Sequence, residues 1–251
     1  MSKRSVTLIV IAKEPRPGRV KTRLTPPYRP EQASALAAAA LADTLDAVAA
    51  TCASCHPELP VRPLVVLDGT PGDWLPAHLP VVAQAGGPFD ERLAAAFDTV
   101  RGEPALLIGM DTPQVRAHTL AAACRTLLRT DAVLGPALDG GWWALGLRAA
   151  DGNLVRGVAT SRTDTGAVQR ARLGAAGLRV VDLPVLRDVD TAPDVELVAN
   201  LAPDGRFAAL TRSLRNPGLQ TTGLQTTGLQ TTGLQTTGRQ ADHETRLTHS
   251  G

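Results

Sequence analysis

Seven short apolar runs separated by helical patterns restrict the fold of this chain more than any other feature. The runs lie at 6–12, 63–68, 80–85, 104–110, 131–138, 142–147 and 178–185. Helical patterns lie at 31–50, 90–100, 113–128, 165–176 and 193–201. Apolar strands that alternate with helices of this length predict a mainly parallel sheet with helices on both faces. We predict a single three-layer α/β/α domain over residues 1–212.

One connection departs from this alternation. Only Asp139, Gly140 and Gly141 separate the runs at 131–138 and 142–147. A parallel crossover needs about a dozen residues, so this turn predicts an antiparallel pair and a mixed sheet.

The last forty residues differ in composition from the rest of the chain. GLQTT occurs four times in succession from Gly218 to Thr237. A period of five residues is too short for a packed solenoid unit, and one Leu in each repeat cannot bury a core. We predict a disordered tail over residues 213–251.

Composition limits the partners of the predicted domain. The formal net charge is +2, with 43% hydrophobic and 20% charged residues. This balance gives no reason to expect a nucleic-acid partner. We find no run close to the roughly 18 apolar residues of a membrane helix, and no signal peptide, so we expect a cytoplasmic protein.

The first apolar run is followed by a stiff basic loop, AKEPRPGRVKTRL, at residues 12–24. Five cationic side chains surround Gly18: Lys13, Arg16, Arg19, Lys21 and Arg23. Taken alone, the loop is typical of a solvated surface. However, open α/β sheets bind ligands beyond the carboxyl ends of their strands, and Lys and Arg suit phosphate oxygens. Its position therefore favours a phosphate-binding loop.

Acidic residues follow two other strand-like runs. Asp111 lies in LLIGMDTPQV, and Asp188 and Asp190 lie in LRDVDTAPDV. One interpretation is helix capping, since Thr and Pro follow in both places. The other is a Mg²⁺ site, because Mg²⁺ commonly takes one or two protein carboxylates and completes its shell with phosphates and water. Asp188 and Asp190 are two apart, so both could face one site.

Two glycine-containing segments could also contact a ligand. In GPALDGGWWALGL, Gly140 and Gly141 allow either a sharp turn or close approach to a ligand. Trp142 and Trp143 should point to opposite faces, so that one packs in the core and the other can border a pocket. GGPFDERL, at 86–93, is a weaker candidate for contact with a base or sugar.

In this order, the motifs resemble the GT-A, or nucleotide-diphospho-sugar transferase, superfamily. The similar branch consists of small bacterial GT-A-like proteins, the radical-SAM/selenodomain-associated transferases. The motifs that carry the resemblance are AKEPRPGRVKTRL, GMDTP, PALDGGWWALGL and DVDTAPDVEL, and it covers roughly residues 5–200. Molybdenum-cofactor and phospholactate guanylyltransferases look like more distant relatives.

The resemblance implies roles for individual residues. Lys21 and Asp111 would be catalytic, Asp111 and Asp190 would hold Mg²⁺ or Mn²⁺, and Asp139, Gly140 and Gly141 would lie on the acceptor side. The implied nucleotide and phosphate site comprises Ala12, Lys13, Arg16, Gly18, Lys21, Arg23, Gln84 and Gly87. The segment VRGVATSRTDTGAVQ lacks the Trp-Ser-Thr pattern usual in the branch, so the resemblance assigns no acceptor residue between Thr160 and Thr165.

These features predict a Mg²⁺-dependent transferase that uses a nucleotide and a small-molecule acceptor. Nucleotidyl transfer from an NTP to a phosphorylated small molecule is the first hypothesis, because the cationic loop could hold a triphosphate. Glycosyl transfer from an NDP-sugar is the alternative. A non-catalytic nucleotide-binding protein is a third, although it would not need paired carboxylates.

Overall fold

The computed structural model describes residues 5–215, which contain a seven-stranded sheet. The strand order is β3-β2-β1-β4-β6-β5-β7. The strands are β1 Val6–Lys13, β2 Val61–Asp68, β3 Val81–Ala83, β4 Ala105–Ile108, β5 Ala132–Pro136, β6 Trp142–Leu147 and β7 Val180–Asp182. All seven predicted strands are present, and most begin or end within two or three residues of the predicted bounds.

The sheet is mixed, as the short turn at residues 139–141 predicted. β6 runs antiparallel to both β4 and β5, while the remaining pairs are parallel. The carboxyl ends of β1 and β4 therefore meet at one edge of the sheet, beside the start of β6. This edge receives the basic loop and the segment that contains Asp111.

Helices cover both faces of the sheet. They are α1 Pro30–Cys55, α2 Phe89–Asp98, α3 Ala117–Leu127, α4 Thr165–Ala175, α5 Ala192–Leu201 and α6 Arg206–Arg215. Side chains of β1 alternate between two cores: Leu8 and Val10 pack with α1 and α3, whereas Ile9 and Ile11 pack with α2 and α4. This alternation confirms the predicted three layers.

Helix α1 corrects the expectation that no segment of the chain is long and apolar enough to cross a membrane. By length and composition alone it is apolar enough to cross a membrane, which we did not anticipate. Its buried residues, among them Leu41 and Leu45, pack in the core formed with β1 and α3. These contacts are those of a core helix.

Helix α6 was not predicted. It packs on α1 and α5 through Phe207 and Ala208, and Asp43 of α1 accepts hydrogen bonds from the backbone N–H groups of Arg206 and Phe207, both at 2.9 Å. The helix ends at Arg215, three residues beyond the predicted domain boundary. The predicted tail from residue 216 onward lies outside the described residues.

Candidate functional site

A cleft of about 380 Å³ opens at the sheet edge where the loops after β1 and β4 meet the segment before α5. Its charged side chains are Lys21, Arg23, Asp111, Asp139, Asp188, Asp190 and Arg162. The structure thus brings together the two predicted catalytic residues, both predicted metal ligands and Asp139 of the predicted acceptor side.

The charged side chains just named form what we call the charged wall of the cleft, and Lys21 is one of them. Its Nζ is 2.8 Å from Asp111 Oδ1 and also donates to the carbonyl of Val189, and only 8% of the side chain is exposed. Its backbone is left-handed, with φ at 51°. A non-glycine residue adopts this conformation at a cost, and such strain is concentrated at functional sites. The contacts of Lys21 fix one cation between two loops that are far apart in sequence.

A second ion pair lies further out in the cleft. Arg23 Nη1 is 2.5 Å from Asp190 Oδ2, and both side chains are largely exposed. The backbone supports the same arrangement, since the Val189 N–H donates to the Asp111 carbonyl at 2.9 Å. The basic loop and the two acidic segments therefore form one connected unit.

Helix capping does not account for the acidic residues. We predicted a helix from residue 113, but α3 begins at Ala117, six residues after Asp111. The N-cap of α5 is Thr191, which exchanges hydrogen bonds with Asp194 in a capping box. Asp111 and Asp190 are therefore left without the structural role that the capping interpretation offered.

Asp188 is the acidic residue that sequence reasoning undervalued. The pKa of its carboxyl is raised to about 7, chiefly by burial and in part by the charges of Asp111 and Asp139, while Lys21 opposes the rise. Its Oδ1 is buried and has no hydrogen-bond partner among the described residues. The two-residue spacing to Asp190 indicated a shared site, but nothing in the sequence showed that Asp188 is the more deeply buried of the two.

The predicted acceptor side contains a close backbone contact. A Cβ on Gly140, whose φ is 90°, would lie 1.9 Å from the Thr163 carbonyl oxygen, so only glycine fits there. The Gly166 N–H donates to the Gly140 carbonyl at 2.8 Å. These contacts bring Thr160, Ser161, Arg162 and Thr163 to the cleft, a wall that the resemblance did not assign.

Aromatic side chains line another part of the cleft. Trp142 and Phe89 border it, and Phe89 is 40% exposed. Trp143 is buried in the core on the other face, with its indole N–H donating to the Pro184 carbonyl at 2.9 Å. The predicted division of the two tryptophans between core and pocket is therefore only partial, because the buried Trp143 also lines the cleft. A flat apolar ligand surface, such as a nucleobase, would suit this part of the cleft.

Several predicted binding residues do not line this cleft. Lys13 and Arg16 pair with Asp68 and Glu14 and border a separate cavity of about 140 Å³. The basic loop is therefore divided between two cavities, because its turn directs only Lys21 and Arg23 toward the acidic segments. Gly18 lies in this turn with φ at 72°.

The remaining predicted nucleotide contacts have local structural roles. Gln84 Nε2 donates to the carbonyls of Ala12, at 2.9 Å, and Val66, at 3.2 Å, while Arg92 donates to Gln84 Oε1. Ala12 is buried in β1. Gly87 has φ at 101° in the turn before α2. None of these residues is among those that line the cleft.

The chain matches the profile of a protein family. The profile of an uncharacterised protein family conserved in bacteria, DUF2064, matches residues 36–162, about half of the chain. The chain belongs to this family. Among curated proteins there is no significant sequence match.

Solved structures of similar fold agree with this assignment. A candidate nucleotide-diphospho-sugar transferase from Desulfovibrio desulfuricans G20 is 26% identical, with a TM-score of 0.72 over 86% of this chain and 96% of the other. This similarity confirms the predicted nucleotide-diphospho-sugar transferase fold and the prediction of a transferase.

More distant structures were also found. Rv0371c of Mycobacterium tuberculosis H37Rv, in complex with manganese, is 23% identical, with a TM-score of 0.47 over 79% of this chain and 100% of the other. CMP:2-keto-3-deoxy-manno-octonic acid synthetase complexed with CTP is 11% identical, with a TM-score of 0.47 over 80% of this chain and 99% of the other.

The donor set of the cleft fits a divalent cation that is shared with phosphates. Within residues 5–215, no three His, Cys, Asp or Glu side chains are arranged as a ready-made metal site. Mg²⁺ does not need one, since one or two carboxylates with phosphates and water are its usual shell. The unpartnered Asp188 Oδ1, beside Asp111, is a buried hard oxygen atom of the kind such a cation binds.

Proposed function

We propose that this protein is a Mg²⁺-dependent nucleotidyltransferase that joins the nucleoside monophosphate part of an NTP to a phosphorylated small molecule. The observation that carries the proposal is the meeting of Lys21 with Asp111, and of Arg23 with Asp190, in one cleft at the carboxyl edge of the sheet. This is the edge at which α/β sheets bind nucleotides.

The charge of the cleft supports a metal-bound nucleotide over a bare one. Four carboxylates and three cationic groups line it, so a free triphosphate would meet more negative than positive charge. Asp111 and Asp190, with Asp188 beside them, would hold the ion. When bound, Mg²⁺ would neutralise negative charge on the phosphate chain.

The residues of the chain would position the reactants. Lys21 and Arg23 would donate hydrogen bonds to phosphate oxygens, with the nearly buried Lys21 close to the bond that breaks. An oxygen of the acceptor's phosphate would attack the α-phosphorus as the bond to the leaving pyrophosphate breaks. Asp139 and the Thr160–Thr163 wall would hold the acceptor opposite the nucleotide. Such a reaction depends on positioning and charge more than on a protein nucleophile.

Glycosyl transfer is the second candidate. It is favoured by the similarity to the Desulfovibrio protein, which is described as a nucleotide-diphospho-sugar transferase. The same charged wall would hold the diphosphate of an NDP-sugar, and the anomeric carbon would take the place of the α-phosphorus as the centre attacked.

A thermal-shift screen tests the proposal. Each NTP and a panel of NDP-sugars is added with Mg²⁺, with Mn²⁺ or with a chelator, and we expect at least one nucleotide to raise the unfolding temperature only when metal is present. The product separates the two reactions, because nucleotidyl transfer releases pyrophosphate and glycosyl transfer releases a nucleoside diphosphate. Failure of every nucleotide in every metal condition would overturn both.

A further inference from the structure

Thr112 is a buried cleft residue for which the sequence suggested only helix capping, and α3 begins five residues after it, at Ala117. Its side chain is 1% exposed, it lines the cleft, and its Oγ1 has no hydrogen-bond partner among residues 5–215. Buried hydroxyl groups in folded proteins are nearly always hydrogen-bonded, because an unpaired one loses its hydration without compensation. A group left in this state at the wall of a cleft needs an explanation.

The backbone gives the side chain of Thr112 a fixed position. Its neighbours Met110 and Val115 are each 5% exposed and pack in the core, and the Val115 N–H donates to the Thr112 carbonyl at 2.9 Å. The turn therefore has little freedom to carry the hydroxyl elsewhere. A group held in place before a ligand arrives loses little entropy on binding.

Other buried threonines show the normal arrangement. Thr130 is 2% exposed, and its Oγ1 donates to the Arg179 carbonyl at 2.8 Å. Thr165, which also lines the cleft, donates to the Ala159 carbonyl at 3.0 Å. The fold thus satisfies buried threonine hydroxyls that serve structure, which sets Thr112 apart.

We infer that the Thr112 hydroxyl donates a hydrogen bond to a phosphate oxygen of the bound nucleotide. Thr112 directly follows Asp111, whose carboxylate pairs with Lys21 in the charged wall, and Thr112 itself lines the cleft. The ligand atoms that this wall suits are phosphate oxygens, which only accept hydrogen bonds. Hydrogen bonds to charged oxygens are stronger than those between neutral groups.

This inference rests on the proposed function, and inorganic pyrophosphate with Mg²⁺ is a probe that does not require the base to be known. Binding is measured by isothermal titration calorimetry for the unchanged protein, Thr112→Val and Thr112→Ser. Valine keeps the shape and removes the hydroxyl, whereas serine keeps the hydroxyl. We expect Thr112→Val to weaken binding about tenfold and Thr112→Ser to retain most of it.

Unfolding temperatures without ligand supply the matched control. Thr130→Val removes a bonded hydroxyl away from the cleft and should lower the unfolding temperature by about 2–4 °C. Thr112→Val removes an unpaired hydroxyl and should leave the temperature unchanged or raise it.

The possible results distinguish failure of the inference about Thr112 from failure of the proposed function. Full affinity in Thr112→Val overturns the role of Thr112 alone. A loss of unliganded stability like that of Thr130→Val shows that the hydroxyl has a structural partner, which also overturns it. If the unchanged protein binds neither pyrophosphate nor any nucleotide with metal, the proposed function fails and this inference fails with it.

Discussion

Replacing Asp188 with Asn should stabilise the metal-free protein at neutral and alkaline pH. Asp188 is buried beside Asp111 and Asp139, and both burial and these charges disfavour its ionised form. The fold therefore retains a carboxylate that weakens it. Natural proteins accept such costs where function requires the charged group.

The magnitude follows from the pKa of Asp188. The pKa rises from an ordinary 3.8 to about 7. Each unit of pKa difference between the folded and unfolded states corresponds to about 1.4 kcal/mol, so the ionised carboxylate lowers the free energy of unfolding by about 4 kcal/mol. Because the pKa is higher in the folded state, the unfolded chain releases this proton first as pH rises. The stability of the folded protein is therefore lost between about pH 4 and pH 7, and the whole penalty is present at pH 8.

Urea denaturation in the presence of a chelator measures the effect. At pH 8, Asp188→Asn should raise the urea midpoint by about 1–2 M, given a urea dependence of about 2–3 kcal/mol per molar. At pH 4.5 the carboxyl is protonated in the folded protein and already largely ionised in the unfolded chain, and only about 1 kcal/mol of the penalty has developed, so the gain should fall to about that value. Asp190→Asn is the matched control, since its exposed pair with Arg23 is worth about 0–1 kcal/mol at either pH.

Two results would refute this reasoning. An equal gain at pH 8 and pH 4.5 would mean that the effect of Asp188→Asn does not come from the charge of the carboxylate. A loss of stability at pH 8 would mean that the folded protein compensates the buried charge of Asp188.

Two further predictions address the metal ligand and the acceptor turn. Asp111→Asn should remove the metal-dependent part of any nucleotide thermal shift while the protein stays folded. The control Asp182→Asn, at an exposed position outside the cleft, should keep the metal-dependent shift. Unchanged metal dependence in Asp111→Asn would leave Asp111 as a partner of Lys21 only. Gly140→Ala should lower the free energy of unfolding in urea by more than about 3 kcal/mol, because its Cβ would meet a carbonyl oxygen. Gly102→Ala, at a position with φ at 82° and open space around it, should lower this free energy by only about 1 kcal/mol. Equal losses in the two variants would contradict the close contact at Gly140.

The alternation of apolar strands and helices predicted the layers because each element carries its burial pattern locally. Helix α6 was missed because part of what holds it, the packing on α1 and the capping carboxylate of Asp43, lies far away in sequence. The start of α3 was placed too early because Thr112 and Pro113 are typical of a helix start, whereas here they form a turn that precedes it. Local signals identified the elements, and tertiary contacts decided where they end.

The candidate site was predictable where strand ends define it. Lys21 and Asp111 follow neighbouring parallel strands, so their meeting is a consequence of topology. The position of Lys13 and Arg16 outside this cleft was not predictable, because the loop's turn decides which cations face the acidic segments. The Thr160–Thr163 wall depends on contacts of Gly140 with Thr163 and Gly166, and no pattern in the sequence indicates them.

The ion pairs of Lys21 and Arg23 mean that the ligand-free cleft already contains its own counterions. In the proposed function, a metal–nucleotide complex that enters would replace these cations on the carboxylates with the metal, and the released side chains would take the phosphates. Binding would then be an exchange of ion-pair partners within the cleft. Such a site should bind its nucleotide with a weaker dependence on ionic strength than a bare basic patch, because few ions from solution are displaced.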